Sequence, residues 1–299
     1  MEFGQEDQMI IDAHHHLWDP ATRRHDWLDG LPRLRRTFGL ADYTRESATA
    51  GVTASVLIQV LASPAETEEF LATAAATAGQ VPEVAGVVGW VDLTGDDVGG
   101  ELDRLRAQPG GDRLVGVRHL VQDEPDPNWL SRPDVRRGLR AVGAAGLVYD
   151  LLVRPAQLPA ALRVTTELDE VQFVLDHGGK PEIGEDRFEP WAGLTAEMAP
   201  LPNLTCKLSG LVTEASPAAT AATFGPYVDH LLDSFGPGRL MFGSDWPVCT
   251  LAASYAEVAA LARELLAARL SPDEQAAVFG ATAAAVYRLK VAAGPPGRP

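Results

Sequence analysis

The chemistry-bearing residues of this 299-residue chain fall at a few repeated kinds of place. The first is Asp12-Ala13-His14-His15-His16, at the end of an apolar run. If that run is a strand, alternate side chains share a face, so Asp12, His14 and His16 point one way and His15, read as structural, the other. Two converging imidazoles are borderline ligands suited to a divalent ion such as zinc. Without an ion, the pair reads as a hydrogen-bonded histidine cluster. A second group is Arg118-His119, followed by Gln122, Asp123 and Glu124. Arg118 is a permanently charged fork for a carboxylate or a polarised carbonyl, or the partner of a loop acid such as Asp123. Asp150 lies among apolar residues and needs a partner or a cation. His177, in Asp176-His177-Gly178-Gly179-Lys180, is a third candidate ligand or proton shuttle, and Lys180 a candidate electrophile. Lys207 sits in an apolar run and needs an acceptor. Asp245, in Gly243-Ser244-Asp245-Trp246, stands at the end of the last apolar run, in line with His14, His16 and His177. Trp246 is either an apolar wall for a substrate ring or core packing. His25 and His230 read as surface or loop residues, and Cys206 has no base beside it.

All these groups except His25 and His230 sit in or at the ends of eight short apolar runs. The runs are 9–16, 54–60, 84–91, 114–121, 146–153, 172–177, 204–208 and 239–244. Continuous rather than alternating apolarity marks strands buried on both faces, as in a parallel sheet covered by helices. Helices are expected over 64–78, 134–145, 155–168, 217–235, 254–268 and 271–289, several with acids or Ser caps at their start. Eight strand–helix units in one domain over 9–290 point to a (β/α)8 TIM barrel, with 1–8 and 291–299 as flexible tails. The doubly wound alternative lacks its glycine-rich turn, because histidines follow the first strand.

Lys plus Arg is 25 and Asp plus Glu is 41, a formal net charge of −16. Nucleic acid and anionic membranes require clustered positive charge, so neither is an expected partner. Two cysteines, Cys206 and Cys249, exclude a disulfide framework and suit a reducing compartment. The first eight residues carry no apolar signal core, and no apolar run approaches the roughly 18 residues of a membrane span. A cytoplasmic protein is expected, with a homo-oligomer left open.

The segments IDAHHHLWDP, GVRHLVQDEPDPNWL, GLVYDLLVRPAQLP, VLDHGGKP, CKLSGLVTEA and RLMFGSDWPVC run in order from residue 11 to 249. Together they resemble the amidohydrolase superfamily in its amidohydrolase-2 branch, and within it the sugar-lactone hydrolases of L-fuconolactonase and L-rhamnonolactonase type. The resemblance implies a distorted (β/α)8 barrel in which His14, His16, His177 and Asp245 form the catalytic centre. In metal-using relatives those residues hold one divalent ion, usually zinc; some lactonases of the branch work without a required metal. Arg118, His119, Asp150, Lys180 and Trp246 would form the substrate shell. The implied reaction is opening of a sugar lactone to its acid by Asp245-activated water, with His177 as ligand or proton donor. The alternatives are a metal-dependent decarboxylase or another amide or ester hydrolase of the superfamily. The strand-four lysine that carries a bridging carbamate in binuclear relatives has no match, so one metal at most is expected. Gly178 and Gly179 replace bulkier residues after strand six, and Gly280-Ala281-Thr282 replaces the usual Gly-Asn pair.

Overall fold

The computed structural model describes residues 9–291, so the expected tails lie outside the described residues apart from Val291. Eight strands pair in parallel in the order of the chain. They are β1 (Ile11–His15), β2 (Ala54–Ile58), β3 (Glu83–Gly89) and β4 (Leu114–His119), then β5 (Val148–Leu151), β6 (Gln172–Leu175), β7 (Leu204–Leu208) and β8 (Leu240–Phe242). Helices α1 (Leu40–Ala48), α2 (Pro64–Ala76), α3 (Val98–Arg106), α4 (Pro133–Ala144), α5 (Leu158–Glu167), α6 (Trp191–Met198), α7 (Ala221–Phe235) and α8 (Tyr255–Ala267) follow them in turn. This is the nearly closed (β/α)8 barrel that the rhythm of apolar runs predicts. Of its helices, α1, α3 and α6 are short and were not among the expected ones. None of the described helices is long and apolar enough to cross a membrane.

The strands are apolar on both faces because two cores need them. Ile11, Ala13, Val56, Ile58, Val88, Val174 and Met241 pack together in one cluster, joined by Ala283 and Tyr287 of the terminal helical segment. The opposite strand faces, with Leu57, Val87, Tyr149, Phe173 and Phe242, pack into the helical layer. Burying one such side chain contributes about 1.5–3 kcal/mol. α2 and α8 begin at Ser63 and Ser254, whose hydroxyls accept from the amides of Glu66 and Glu257.

Two local expectations change. The segment 271–289 is not one helix: a π-turn over Ala277–Ala281 interrupts it. There Gly280 passes so close to the Met9 carbonyl that a Cβ would lie 2.3 Å from its oxygen. The extra residue per turn accommodates that approach. Asp12 does not share a face with His14 and His16. The β1–β2 register shifts between Asp12 and His15, and a bulge of this kind re-aims the side chains beyond it. Asp12 instead accepts from the hydroxyls of Tyr43 in α1, Tyr255 in α8 and Ser244, and from the Ser244 amide. It thereby ties β1 to the chain leaving β8. The Asp245 amide donates to the His14 carbonyl (2.8 Å) and the His16 amide to the Trp246 carbonyl (2.7 Å), which continues the seam.

A buried acid also holds the loop after β2. Glu66 is 2% exposed and accepts from the amides of Val60 and Leu61, both at 2.8 Å. Burial pushes its carboxyl up to about 7, against the lowering effect of those amides. A carboxyl whose folded pKa is raised contributes stability that is complete below its unfolded value, and that is lost as pH rises through about 7. The wild type is therefore expected to lose on the order of 3 kcal/mol relative to Glu66→Gln between pH 4.5 and 7. Parallel urea melts of the two proteins across that range check it; parallel pH profiles would refute it.

Candidate active site

The site forms where the chain leaves the strands, the end at which barrel enzymes place their chemistry. β1 delivers His14 and His16, β4 Arg118, β6 Asp176 and His177, β7 Lys207 and Ser209, and β8 Asp245. Two of these residues have left-handed backbone: His177 at φ 55° and Asp245 at φ 57°. Such conformations are costly for residues with a Cβ and persist where the surroundings hold them. The Asp245 amide bond to His14 is one such hold.

The imidazoles are oriented from behind. His16 Nδ1 donates to the Ile58 carbonyl (2.9 Å), and His177 Nδ1 is hydrogen-bonded to Ser209 Oγ (2.8 Å). Their Nε2 atoms are left facing inward, the orientation that carbonyl and hydroxyl partners give metal-binding histidines. His14 Nε2 lies 3.1 Å from His16 Nε2 and 3.7 Å from Asp245 Oδ1, and His16 Nε2 is 3.5 Å from the same oxygen. One donor atom each from His14, His177 and Asp245 falls within a 4.8 Å cluster. Burial drives the pKa of His14 well down and that of His177 down to about 4, so both rings are neutral at physiological pH. Burial raises the Asp245 carboxyl, but His177 and His16 outweigh it, and the net shift is downward. Neutral imidazoles beside a carboxylate are the donor set a divalent ion requires.

Around this cluster runs a charged network that the linear sequence does not reveal. Lys207 Nζ lies 2.6 Å from Asp150, 2.9 Å from Asp176 and 3.2 Å from His14 Nδ1. Arg118 donates to Asp176 (3.0 Å), to the side-chain oxygen of Gln59 (3.1 Å) and to the Gln59 carbonyl, and its Nη1 is 3.3 Å from His14 Nε2. Its carboxylate partner is thus Asp176, not Asp123. Burial raises Asp176, but Lys207 and His14 overcome it and hold its pKa well below the usual carboxylate range.

The cluster opens into a cavity of about 260 Å³ lined by His16, Arg118, His177, Lys180 and Asp245 together with Trp18 and Trp27. Lys180 pairs with Glu214 at 3.0 Å. Of the expected substrate-shell residues, Arg118 and Lys180 reach this cavity. His119, Asp150 and Trp246 are not brought to its wall. His119 alternates to the other face of β4, stacks on Trp129, accepts from Trp90 Nε1 and donates to Glu124. Asp150 is held between Lys207 and the Tyr287 hydroxyl. Trp246 is buried between Phe38 and Tyr43. His15 stacks on Tyr43, as its outward direction implies. His25 is a buried loop residue, and His230 is half-buried in α7 against Trp191 rather than on the surface. Cys206 is buried and its thiol pKa is pushed up by that burial. The functional neighbours missed by sequence reasoning are Gln59, Asp176, Trp18 and Trp27. Asp176 had a signal in its adjacency to His177; the tryptophans sit in the long loop after β1, whose path no periodicity encodes.

Glycines let these groups approach. Gly210 has φ +65°, and a Cβ there would lie 2.5 Å from His177 Nδ1. Gly210→Ala is therefore expected to displace His177 from Ser209. Turnover should fall about tenfold or more, because small misplacements of site groups are costly, with the circular dichroism spectrum retained. Unaltered kinetics would show that the ring is free to give way.

The amidohydrolase family model matches residues 11–289. An L-fucono-1,5-lactonase from Burkholderia ambifaria is 37% identical over 283 residues, covering 93% of this chain and 95% of the relative. A second, from Burkholderia multivorans, is 39% identical over 292 residues, covering 93% and 96%. The crystal structure of a Burkholderia multivorans amidohydrolase with bound zinc superposes with a TM-score of 0.86 at 37% identity, over 94% of this chain and 99% of that one.

Proposed function

Since this chain belongs to the amidohydrolase family, we propose that it is a lactonase that opens the ester ring of a sugar lactone to the sugar acid. The observation that carries the reading is the cluster of His14 with His177 and Asp245, beside a cavity lined by His16, Arg118, His177 and Asp245. The L-fucono-1,5-lactonases that match over nearly their full length support it.

Lactone hydrolysis needs an activated water, a polarised carbonyl and a proton for the departing ring oxygen. Asp245 is the base: its carboxylate takes a proton from water as the oxygen bonds to the lactone carbonyl carbon. The same carboxyl then returns that proton to the ring oxygen as the C–O bond breaks. Arg118 and Lys180 face the carbonyl and stabilise the oxyanion, a contribution on the order of 3 kcal/mol per well-placed donor. Trp18 and Trp27 shield the reacting centre from bulk water.

His14, His16, His177 and Asp245 would hold one divalent ion, with zinc the best match to a nitrogen-rich set. Bound there, such an ion would supply Lewis acidity and lower the pKa of water toward about 7. The neutrality of His177 favours its role as a ligand over that of a proton donor.

A pH-indicator assay on 1,4- and 1,5-sugar lactones, corrected for spontaneous opening and run with and without chelator, tests the reading. Acid release is expected. Its loss on chelation, restored by zinc, would assign the histidines as ligands. Its persistence in demonstrably metal-free protein would place the whole load on Asp245, Arg118 and Lys180. No acid release from any lactone would overturn the reading, and carbon dioxide evolution from an aromatic acid would replace it.

A further inference from the structure

The cavity beside the histidine–aspartate cluster is lined by two permanent cations, Arg118 and Lys180, and by two carboxylates, Asp123 and Asp245. Each cation already has a carboxylate partner set behind the lining. Arg118 pairs with Asp176 and Lys180 with Glu214, each at 3.0 Å. Asp123 is exposed in the turn Val121–Asp123 after β4 and pairs with no cation among the described residues. The wall therefore offers a substrate no unpaired positive charge, and negative charge is in excess.

The Lys180–Glu214 pair joins two neighbouring exits of the barrel. Lys180 follows β6; its amide donates to the His177 carbonyl (2.9 Å), and its backbone is left-handed at φ 54°. Glu214 closes the 3-10 turn Leu211–Glu214 after β7. Their side chains are 17% and 21% exposed, so the pair is neither dispersed in solvent nor sealed away. Lys180 also lies near the reacting groups. Burial dominates the pKa of His177 and of Asp245, and the charge of Lys180 adds a lowering effect on both. A partly exposed ion pair is worth little as a fastener of loops. Its consequence for a ligand is larger. A substrate carboxylate entering beside Lys180 must displace Glu214 or stay unpaired next to it, and like charges brought together in a confined site are strongly disfavoured. A neutral lactone incurs neither cost.

We propose that Glu214, by occupying Lys180, restricts this site to uncharged sugar lactones and rejects those that carry a free carboxylate. The inference rests on the lactonase reading above and narrows its substrate class. Ring opening turns a neutral substrate into an anion inside the same cavity, so the device also favours release of the product. Glu214 acts through Lys180 and is a positioning residue: it sets selectivity by repelling the wrong ligand.

The test compares wild type, Glu214→Gln and the double variant Glu214→Gln/Lys180→Met on matched lactones of one ring configuration. One member of each pair is a neutral aldonolactone, such as glucono-1,4-lactone or galactono-1,4-lactone. The other is the aldaric monolactone, whose terminal carbon is a carboxylate. The quantity read is kcat/KM for the charged member divided by that for the neutral one. In wild type the ratio should be about a tenth or less, and Glu214→Gln should raise it about tenfold or more. Where the lactone that wild type opens has no charged counterpart, the inhibition constant of its own product acid is read instead, and should fall by the same factor. Adding Lys180→Met should return either quantity toward the wild-type value, because the freed ammonium is then gone. A loosened loop would not be repaired by a second truncation. A wild type that opens both members alike, a ratio and inhibition constant that Glu214→Gln leaves unmoved, or a gain that survives Lys180→Met overturns the charge filter while the lactonase reading stands. A wild type that opens no lactone overturns both.

Discussion

Asp245→Asn is expected to lower lactone turnover at least a hundredfold, roughly the low end of general-base effects. The carboxylate lies 3.5 Å from His16 Nε2 and 3.7 Å from His14 Nε2, and the pull of His177 and His16 keeps its pKa low despite burial. It is therefore ionised at neutral pH and able to take a proton. Asn preserves the volume and the backbone bond to His14 but has no basic oxygen. The melting temperature should accordingly change little. Because the same carboxylate is a candidate ligand, zinc content should be measured on the same samples. A lost rate with zinc retained assigns the base; loss of both assigns the ligand role. Turnover within threefold of wild type would remove Asp245 from the mechanism altogether.

Lys207→Met is expected to have the largest effect on stability. Lys207 is fully buried, and its Nζ neutralises Asp150 and Asp176, both also fully buried. Truncating one member of a buried ionic group leaves uncompensated charge in a poorly solvated place, at a cost of roughly 3–5 kcal/mol. Two carboxylates would be left facing each other inside the barrel, with Arg118 reaching only Asp176 and the Tyr287 hydroxyl reaching only Asp150. The melting temperature should drop by about 5–10 °C. Adding Asp150→Asn should recover part of that loss, since one of the stranded charges is then gone. A single variant that melts with the wild type would mean that water or a counter-ion replaces the ammonium. A double variant no better than the single would show that the penalty lies in lost packing instead.

Much of the site was legible in the order of residues. His14, His16, His177 and Asp245 stand where apolar runs end, and a barrel brings the ends of all its strands to one rim. Adjacency along the chain sufficed to place them, because β1, β6 and β8 each carry their own histidine or aspartate at the exit. The direction of side chains was less legible. Asp12 was expected beside His14, but a register shift in β1 turns it toward Tyr43 and Tyr255, and strand alternation alone does not announce a bulge. Helices α1, α3 and α6 were not anticipated. They are eight or nine residues long, and α3 begins Val98-Gly99-Gly100, poor helix formers that tertiary packing overrides.

The amino-acid sequence by itself determined the fold class and the identity of the four converging groups. Both follow from local pattern: strands buried on two faces must be apolar throughout, and their polar residues collect at their exits. Only the tertiary structure decided which charges meet. Lys207 finds Asp150 and Asp176 because β5, β6 and β7 lie side by side. Arg118 finds Asp176 and Gln59 across the barrel mouth, rather than the nearer Asp123. Trp27 and Gln122 come to one cavity from turns 95 residues apart in number, 122 less 27. Such pairings are set by closing a ring of strands on itself, and no local propensity carries that information.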